Sequence, residues 1–191
     1  SYLCELKEAQ IRDGLHVFGS SPVDNLERDL AIALLRVPRG TGEGGDASLI
    51  RALASDCDVD IDPLDCDMGT AYAGPRHTIL KNQSGDTWRS NGDTVERLEL
   101  LAMQAITWDK PPKGFNASAL VLAELHQTVL PNLRSCGPAE MAGLLTALNG
   151  KFVPPAPSGA PTRGRLDVLP TGRNFFSVDS RAVPTPTAWA L

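Results

Sequence analysis

Three side chains near the start of the sequence, Glu8, Arg12 and His16, follow one another at steps of four, with Asp13 three residues before His16. If one helix persists through Gly14, they fall along a single stripe. A carboxylate, a guanidinium and an imidazole in that arrangement can bind an acidic ligand, move a proton near neutral pH, or offer a metal ion its ligands. A solvated face carrying ion pairs is the plainer reading of the same spacing. His77 and His126 are lone histidines, expected to be structural or surface groups.

A second set of chemistry-bearing residues lies near the other end, where Ser158, Arg163, Arg165, Arg173 and Asn174 are spread through a segment rich in proline and glycine. Proline stiffens the backbone, glycine lets a ligand approach closely, and forked arginine donors suit carboxylates. With Phe152, Phe175 and Phe176 as flat neighbours, the segment could hold a large, planar, acid-bearing ligand. Seven prolines between 154 and 186 suit a linker. The many apolar residues among them, including Leu166, Val168 and Leu169, argue instead for an ordered loop clamped onto a surface.

Other patterns are weaker. Gly40-Thr41-Gly42-Glu43-Gly44-Gly45 satisfies a dinucleotide-binding fingerprint, but it follows helical periodicity and Pro38, and Glu43 would repel a pyrophosphate. Asp56, Asp58, Asp60 and Asp62 alternate like calcium-loop ligands. In registers starting at Asp56 or Asp58, position six is Ile61 or Pro63 where that loop needs glycine, so a solvated acidic loop is expected. No Cys-x-x-Cys pair, Gly-x-Ser-x-Gly elbow, Walker A loop or His-Glu-x-x-His pair is present.

The elements that must position these groups are mainly helical. The spacing predicts a helix over 2–13. A second runs from Ser21-Pro22, as cap and first-turn proline, with Val23, Leu26, Leu30, Leu34 and Val37 inward, and 47–54 is a short helix. Asp93-Thr94 caps a helix burying Val95, Leu98, Ala102, Ala105 and Ile106. Asn116 caps a run with Leu122, Leu125, Val129 and Leu133 inward, disturbed at Pro131. The last long helix follows Gly137-Pro138, with Met141, Leu144, Leu145 and Leu148 inward, and ends at Asn149-Gly150. The expected fold is mainly α and loop-rich, with about five helices and short strands hidden in 56–89 or 166–178. Residues 1–150 form a helical region with an acidic loop at 43–67. Residues 151–191 form an ordered Pro/Arg-rich segment packed on the helices, in which Thr185-Pro186 opens a helix cut short at Leu191.

The chain has 191 residues and a net charge of −5, an acidic balance that disfavours nucleic-acid binding. Charge is uneven: eight carboxylates face Arg51 alone over 43–67, whereas five cations face Asp167 and Asp179 over 151–181. The longest apolar runs are only a few residues, so no membrane span is expected. The opening shows no leader pattern, and scattered cysteines suit a reducing, cytoplasmic setting.

The segment from Gly150-Lys151-Phe152-Val153-Pro154-Pro155 through Pro161-Thr162-Arg163 to Leu169-Pro170-Thr171-Gly172-Arg173-Asn174-Phe175-Phe176 resembles the signature of the large subunit of the metal-inserting chelatases. That family is shared by aerobic cobaltochelatase and the magnesium chelatase H subunit. The opening Tyr2-Leu3-Cys4-Glu5-Leu6-Lys7-Glu8-Ala9-Gln10-Ile11-Arg12-Asp13-Gly14-Leu15-His16, Gly74-Pro75-Arg76 and Gly92-Asp93-Thr94-Val95-Glu96-Arg97-Leu98-Glu99 are more similar to the cobalt branch. The similarity spans essentially the whole chain, and family subunits are several times longer, so an internal fragment is expected.

The resemblance implies a subunit that binds a corrin precursor, hydrogenobyrinic acid a,c-diamide, and inserts Co(II) as substrate metal. An AAA+ ATPase subunit and an adaptor subunit would handle ATP with Mg. On that basis Arg163, Arg165 and Arg173 are expected to pair with ring carboxylates, with Asn174 and Ser158 as hydrogen-bonding groups. His16, Glu8 and Asp13 would accept protons, His16 and Glu8 would relay the metal, and Arg12 would anchor them or a substrate acid. A scaffold that docks the ATPase partner, and a magnesium-type paralogue, are the alternatives.

Overall fold

The computed structural model describes residues 17–36, 38, 48–157, 161 and 166–172. Its helices are α1 (Asp24–Arg36), α2 (Leu49–Asp56), the single turn α3 (Thr78–Lys81), α4 (Asn91–Ala105), α5 (Asn116–Glu124), α6 (Leu130–Arg134) and α7 (Cys136–Leu148). A π turn (Leu125–Val129) makes α5 and α6 one rod, and a 3₁₀ turn spans Leu166–Val168. The architecture is therefore mainly α with five substantial helical rods. Extended pairing among the described residues is limited to a bridge between Ala71 and Ser90, so the short strands expected in 56–89 reduce to that contact. The expected helix over 2–13 and the start at Thr185-Pro186 lie outside the described residues.

The short α2 is the hub. Leu49, Ile50, Leu53 and Ala54 are buried on it, against Ala31, Leu34 and Leu35 of α1, Leu98, Leu101 and Ala105 of α4, and Val121, Leu122 and Leu125 from the α5 rod. Full burial of each such leucine is worth about 1.5–3 kcal/mol, which outweighs the weak intrinsic stability of an eight-residue helix.

The stripes read for α4 and for the α5 rod are buried as expected, Val95 through Ile106 and Leu122 through Leu133. Pro131 cannot donate a backbone hydrogen bond. The distortion is taken up one turn upstream, where Leu130 N–H reaches back five residues to the Leu125 carbonyl.

Two stripes depart from the expectation, one in part. On α1, Leu34 is buried and Leu30 packs against the core as expected, joined by Ala31 and Leu35, but Val23 and Leu26 are exposed. On α7 the inward residues are Cys136, Gly137 and Glu140, while Met141, Leu145 and Leu148 are exposed, Leu148 at 74%. An apolar stripe marks a face that some surface can cover, and here the core touches the side of α7 next to that stripe, with Leu144 half-buried between the two.

Capping also differs. Ser90, rather than Asp93-Thr94, caps α4: its Oγ accepts from Asp93 N–H at 3.2 Å, and Asp93 Oδ2 accepts from Ser90 N–H at 2.8 Å. Backbone N–H groups of Arg89, at 2.6 Å, and of Ser90 hold the Asp93 carboxyl below the usual aspartate range. Asn116 is the first residue of α5 and does not cap it. Asp56 does so from the end of α2, accepting from Ala117 N–H (2.9 Å), Ser118 N–H (2.8 Å) and Ser118 Oγ–H (2.6 Å). A carboxylate is disfavoured at the C-terminus of its own helix and favoured at the N-terminus of another, so this contact fixes α2 against α5.

The acidic loop is thus less solvated than its composition suggests. Asp62 takes a forked Arg51 pair at 2.9 and 2.6 Å, and Asp67 accepts from Gly69 N–H and Thr70 Oγ1–H. Burial, reinforced by Asp56 and Asp58, pushes the Cys57 thiol up to about 12.

Replacing Asp56 by Ala should lower stability by about 2 kcal/mol in denaturant unfolding. The exposed Asp65→Ala control should change it by less than about 0.5 kcal/mol.

Candidate functional site

Glycine and short polar side chains concentrate around the first turn of α7. Gly137 leaves no room for a side chain: a Cβ there would lie 2.8 Å from both the Gly19 carbonyl oxygen and Ser21 N. Gly172, at φ +90°, would place a Cβ 2.5 Å from Glu140 N. Gly19, at φ +78°, would place one 2.6 Å from the Met141 sulfur. The strap 17–21 and the tail 166–172 therefore both press against the backbone of one helical turn.

Polar contacts hold these approaches. Ser21 Oγ donates to the Arg134 carbonyl at 2.7 Å and accepts from Gly137 N–H at 3.0 Å. It thereby caps α7, with Gly137 lying 116 residues further along the chain, instead of α1, where Ser21-Pro22 is expected to act. Thr171 N–H donates to Cys136 Sγ at 3.4 Å. Glu140, 3% exposed, accepts from Gly19 N–H through Oε2 at 2.9 Å and from Thr171 Oγ1–H through Oε1 at 2.5 Å. A buried carboxylate is costly without donors, and here they come from both flanking segments.

The strap is also anchored through α1. Arg134 makes a forked pair with Glu27, Nε to Oε2 at 2.8 Å and Nη2 to Oε1 at 2.7 Å. The hydrogen-bonded guanidinium holds the Glu27 carboxyl below the usual glutamate range. Val168 and Leu169 of the tail are buried, and Leu169 joins the main core.

All nine residues singled out from sequence, Glu8, Arg12, Asp13, His16, Ser158, Arg163, Arg165, Arg173 and Asn174, lie outside the described residues. The described segments are their neighbours in the chain: the strap begins at Val17, and the tail ends at Gly172. Sequence reasoning missed Glu140, Thr171 and Ser21, whose work is visible only once remote segments meet. The available signal was glycine at 19, 137 and 172. Among the described residues no three His, Cys, Asp or Glu side chains converge to hold a metal ion, and no helix is long and apolar enough to cross a membrane.

Two other features stand apart from this junction. A cavity of about 410 Å³ between α1, α2 and α4 has an apolar floor including Ile32, Ile50 and Met103, and the Arg36–Glu99 pair on its wall. The motif Gly74-Pro75-Arg76 packs structurally. The Pro75 carbonyl accepts from Tyr72 Oη–H at 2.8 Å, and Arg76 lies 6.0 and 5.7 Å from the Tyr72 and Trp88 ring centres. Those rings stack 5.8 Å apart. Burial, with Asp60 nearby, pushes the Tyr72 hydroxyl up to about 12.

The family model for CobN/Magnesium Chelatase matches residues 1–191. The chain is 57% identical over 195 residues to the aerobic cobaltochelatase subunit CobN of Pseudomonas aeruginosa, covering 100% of this chain and 16% of that one. It is 51% identical over 210 residues to the Sinorhizobium sp subunit of the same name, again 100% of this chain and 16% of that one. Similarity to the magnesium-chelatase H subunit of Rhodobacter capsulatus is 49% over 49 residues, 26% of this chain and 4% of that one. Among solved structures, the catalytic subunit of cobaltochelatase from Mycobacterium tuberculosis matches with a TM-score of 0.55 and 34% identity, over 93% of this chain and 14% of that one.

The chain thus spans about one sixth of the length of these relatives.

Because its folded carboxyl is depressed, Glu27 stabilises the fold above the usual carboxylate range, and that contribution fades as pH falls through the depressed value. Glu27→Gln should therefore lower Tm at neutral pH. The difference from the unsubstituted chain should shrink in acid and vanish once Glu27 is protonated in both states, as read by thermal unfolding across pH.

Proposed function

This chain belongs to the CobN/magnesium chelatase family, and from that premise we propose that it is part of the tetrapyrrole-binding large subunit of an ATP-dependent cobaltochelatase. The reaction is insertion of Co(II), a substrate, into hydrogenobyrinic acid a,c-diamide during cobalamin biosynthesis. Chain-wide identity of 57% to a cobaltochelatase subunit carries this reading. Similarity to the magnesium relative is confined to 49 residues, which favours cobalt over magnesium.

Insertion requires the ion to shed water, two ring N–H protons to leave, and the macrocycle to be held in place. Arg163, Arg165 and Arg173 pair with ring carboxylates, and Ser158 and Asn174 add hydrogen bonds. His16, Glu8 and Asp13 receive protons, His16 and Glu8 pass the metal inward, and Arg12 orients them or a ring acid. Covalent reach supports joint action by the two groups. Gly19 lies three residues beyond His16, and Arg173 two beyond Thr171, at most about 11 and 7 Å of extended chain. Gly19 and Thr171 meet on the same Glu140 carboxylate.

ATP with Mg is used by an AAA+ ATPase subunit and an adaptor, and the assembly works in the cytoplasm. A second reading, a docking module for the ATPase, draws on the exposed Met141, Leu145, Leu148 and Phe152.

In the full-length subunit, Arg163→Ala with Arg173→Ala should weaken precursor binding by about a hundredfold or more, one decade per lost charged hydrogen bond, measured from the precursor's visible spectrum. Unchanged affinity would contradict the anion clamp. A folded His16→Ala, Glu8→Ala double variant should bind precursor but lose chelation, and full chelation would contradict the relay.

A further inference from the structure

We infer that Glu140 is a positioning residue for tetrapyrrole binding, its carboxylate setting the tail that precedes Arg173 against the strap that follows His16. The inference rests on the proposed function and adds a residue that touches neither ring nor metal.

Three observations carry it. Glu140 is 3% exposed on the first turns of α7, where a well-packed apolar side chain would serve stability as well as a buried charge does. Its two oxygens reach partners far apart in sequence, Gly19 N–H on the strap and Thr171 Oγ1–H on the tail, so one rigid group sets the separation of the two segments. Gly137 and Gly172 remove the side chains that would hold strap and tail away from α7, and Gly19 supplies the positive φ of the strap's turn. Bonding in both directions fixes the strap at Gly19 and the tail at Thr171. Binding by the tail's arginines is sensitive to placement, since misplacement of a forked donor by about 1 Å loses the bidentate geometry.

The test uses the full-length subunit with hydrogenobyrinic acid a,c-diamide as probe, and three variants: Thr171→Val, which keeps the shape and removes the hydroxyl, Thr171→Ser, which restores it, and Arg173→Ala. Precursor Kd is read from the visible spectrum, and KM for Co(II) and kcat at saturating precursor are measured alongside. The expected result is a roughly tenfold rise in precursor Kd for Thr171→Val, with KM for Co(II) and kcat unchanged and near-complete recovery in Thr171→Ser. Should Thr171→Val fail to fold, Thr171→Ala removes the same hydroxyl and should raise Kd in the same direction.

Normal binding by Thr171→Val alongside weakened Arg173→Ala would overturn the positioning role and leave the arginine reading standing. Equal weakening in the Val and Ser variants would also overturn it, because the hydroxyl would then be irrelevant. Weakened Thr171→Val with unaffected Arg173→Ala would support the positioning role while removing that arginine from the clamp. Normal binding by both would overturn both.

Discussion

The Glu140 carboxylate accepts hydrogen bonds from groups 121 and 31 residues away in sequence, and much of the remaining geometry comes from satisfying it. A carboxylate excluded from water must find donors within the protein. Two of them lie on the strap and the tail, which reach α7 because Gly137 and Gly172 carry no side chain and Gly19 takes a positive φ. Ser21 completes the arrangement by capping α7 with one oxygen that both donates and accepts. The first turn of α7 is consequently a meeting point of three chain segments, and the strap and tail that reach it adjoin in sequence the residues proposed for ligand binding.

The helical core supplies a stiff support for that meeting point. The α2 hub is tied to the α5 rod by leucine packing and by Asp56, and the rod leads through its π turn to Arg134 and the start of α7. The forked Glu27–Arg134 pair then returns to α1. Carboxylates that composition alone would leave in solvent thus serve as caps and ties. The outward face of α7 is apolar: Met141, Leu145 and Leu148 are exposed on a chain that spans one sixth of its relatives' length.

Elements whose buried stripe faces the chain's own core were legible in the sequence. Val95 through Ile106 and Leu122 through Leu133 step at helical intervals and pack inward as the spacing implies. On α1 the same reasoning placed Leu30 and Leu34 correctly and failed at Val23 and Leu26, and on α7 it placed outward residues inward, since periodicity identifies an apolar face without naming what covers it. Caps were misassigned for a related reason. Ser21 and Asp56 satisfy helix ends remote in sequence, whereas local patterns consider only the next residue's helix. Glu140 looked like any glutamate on a helix, and its burial depends on two glycines that sequence spacing does not connect to it. The chemistry-bearing residues from Glu8 to Asn174 were named from residue type and family resemblance, and the structure describes the segments adjoining them.

The measurement that bears most directly on the account is hydrogen–deuterium exchange of the full-length subunit with and without hydrogenobyrinic acid a,c-diamide. If the Glu140 junction organises the ligand-holding wall, amides in 17–21 and 166–172 should gain protection together when the precursor binds. Protection confined to other parts of the subunit, with both segments exchanging as before, would contradict it.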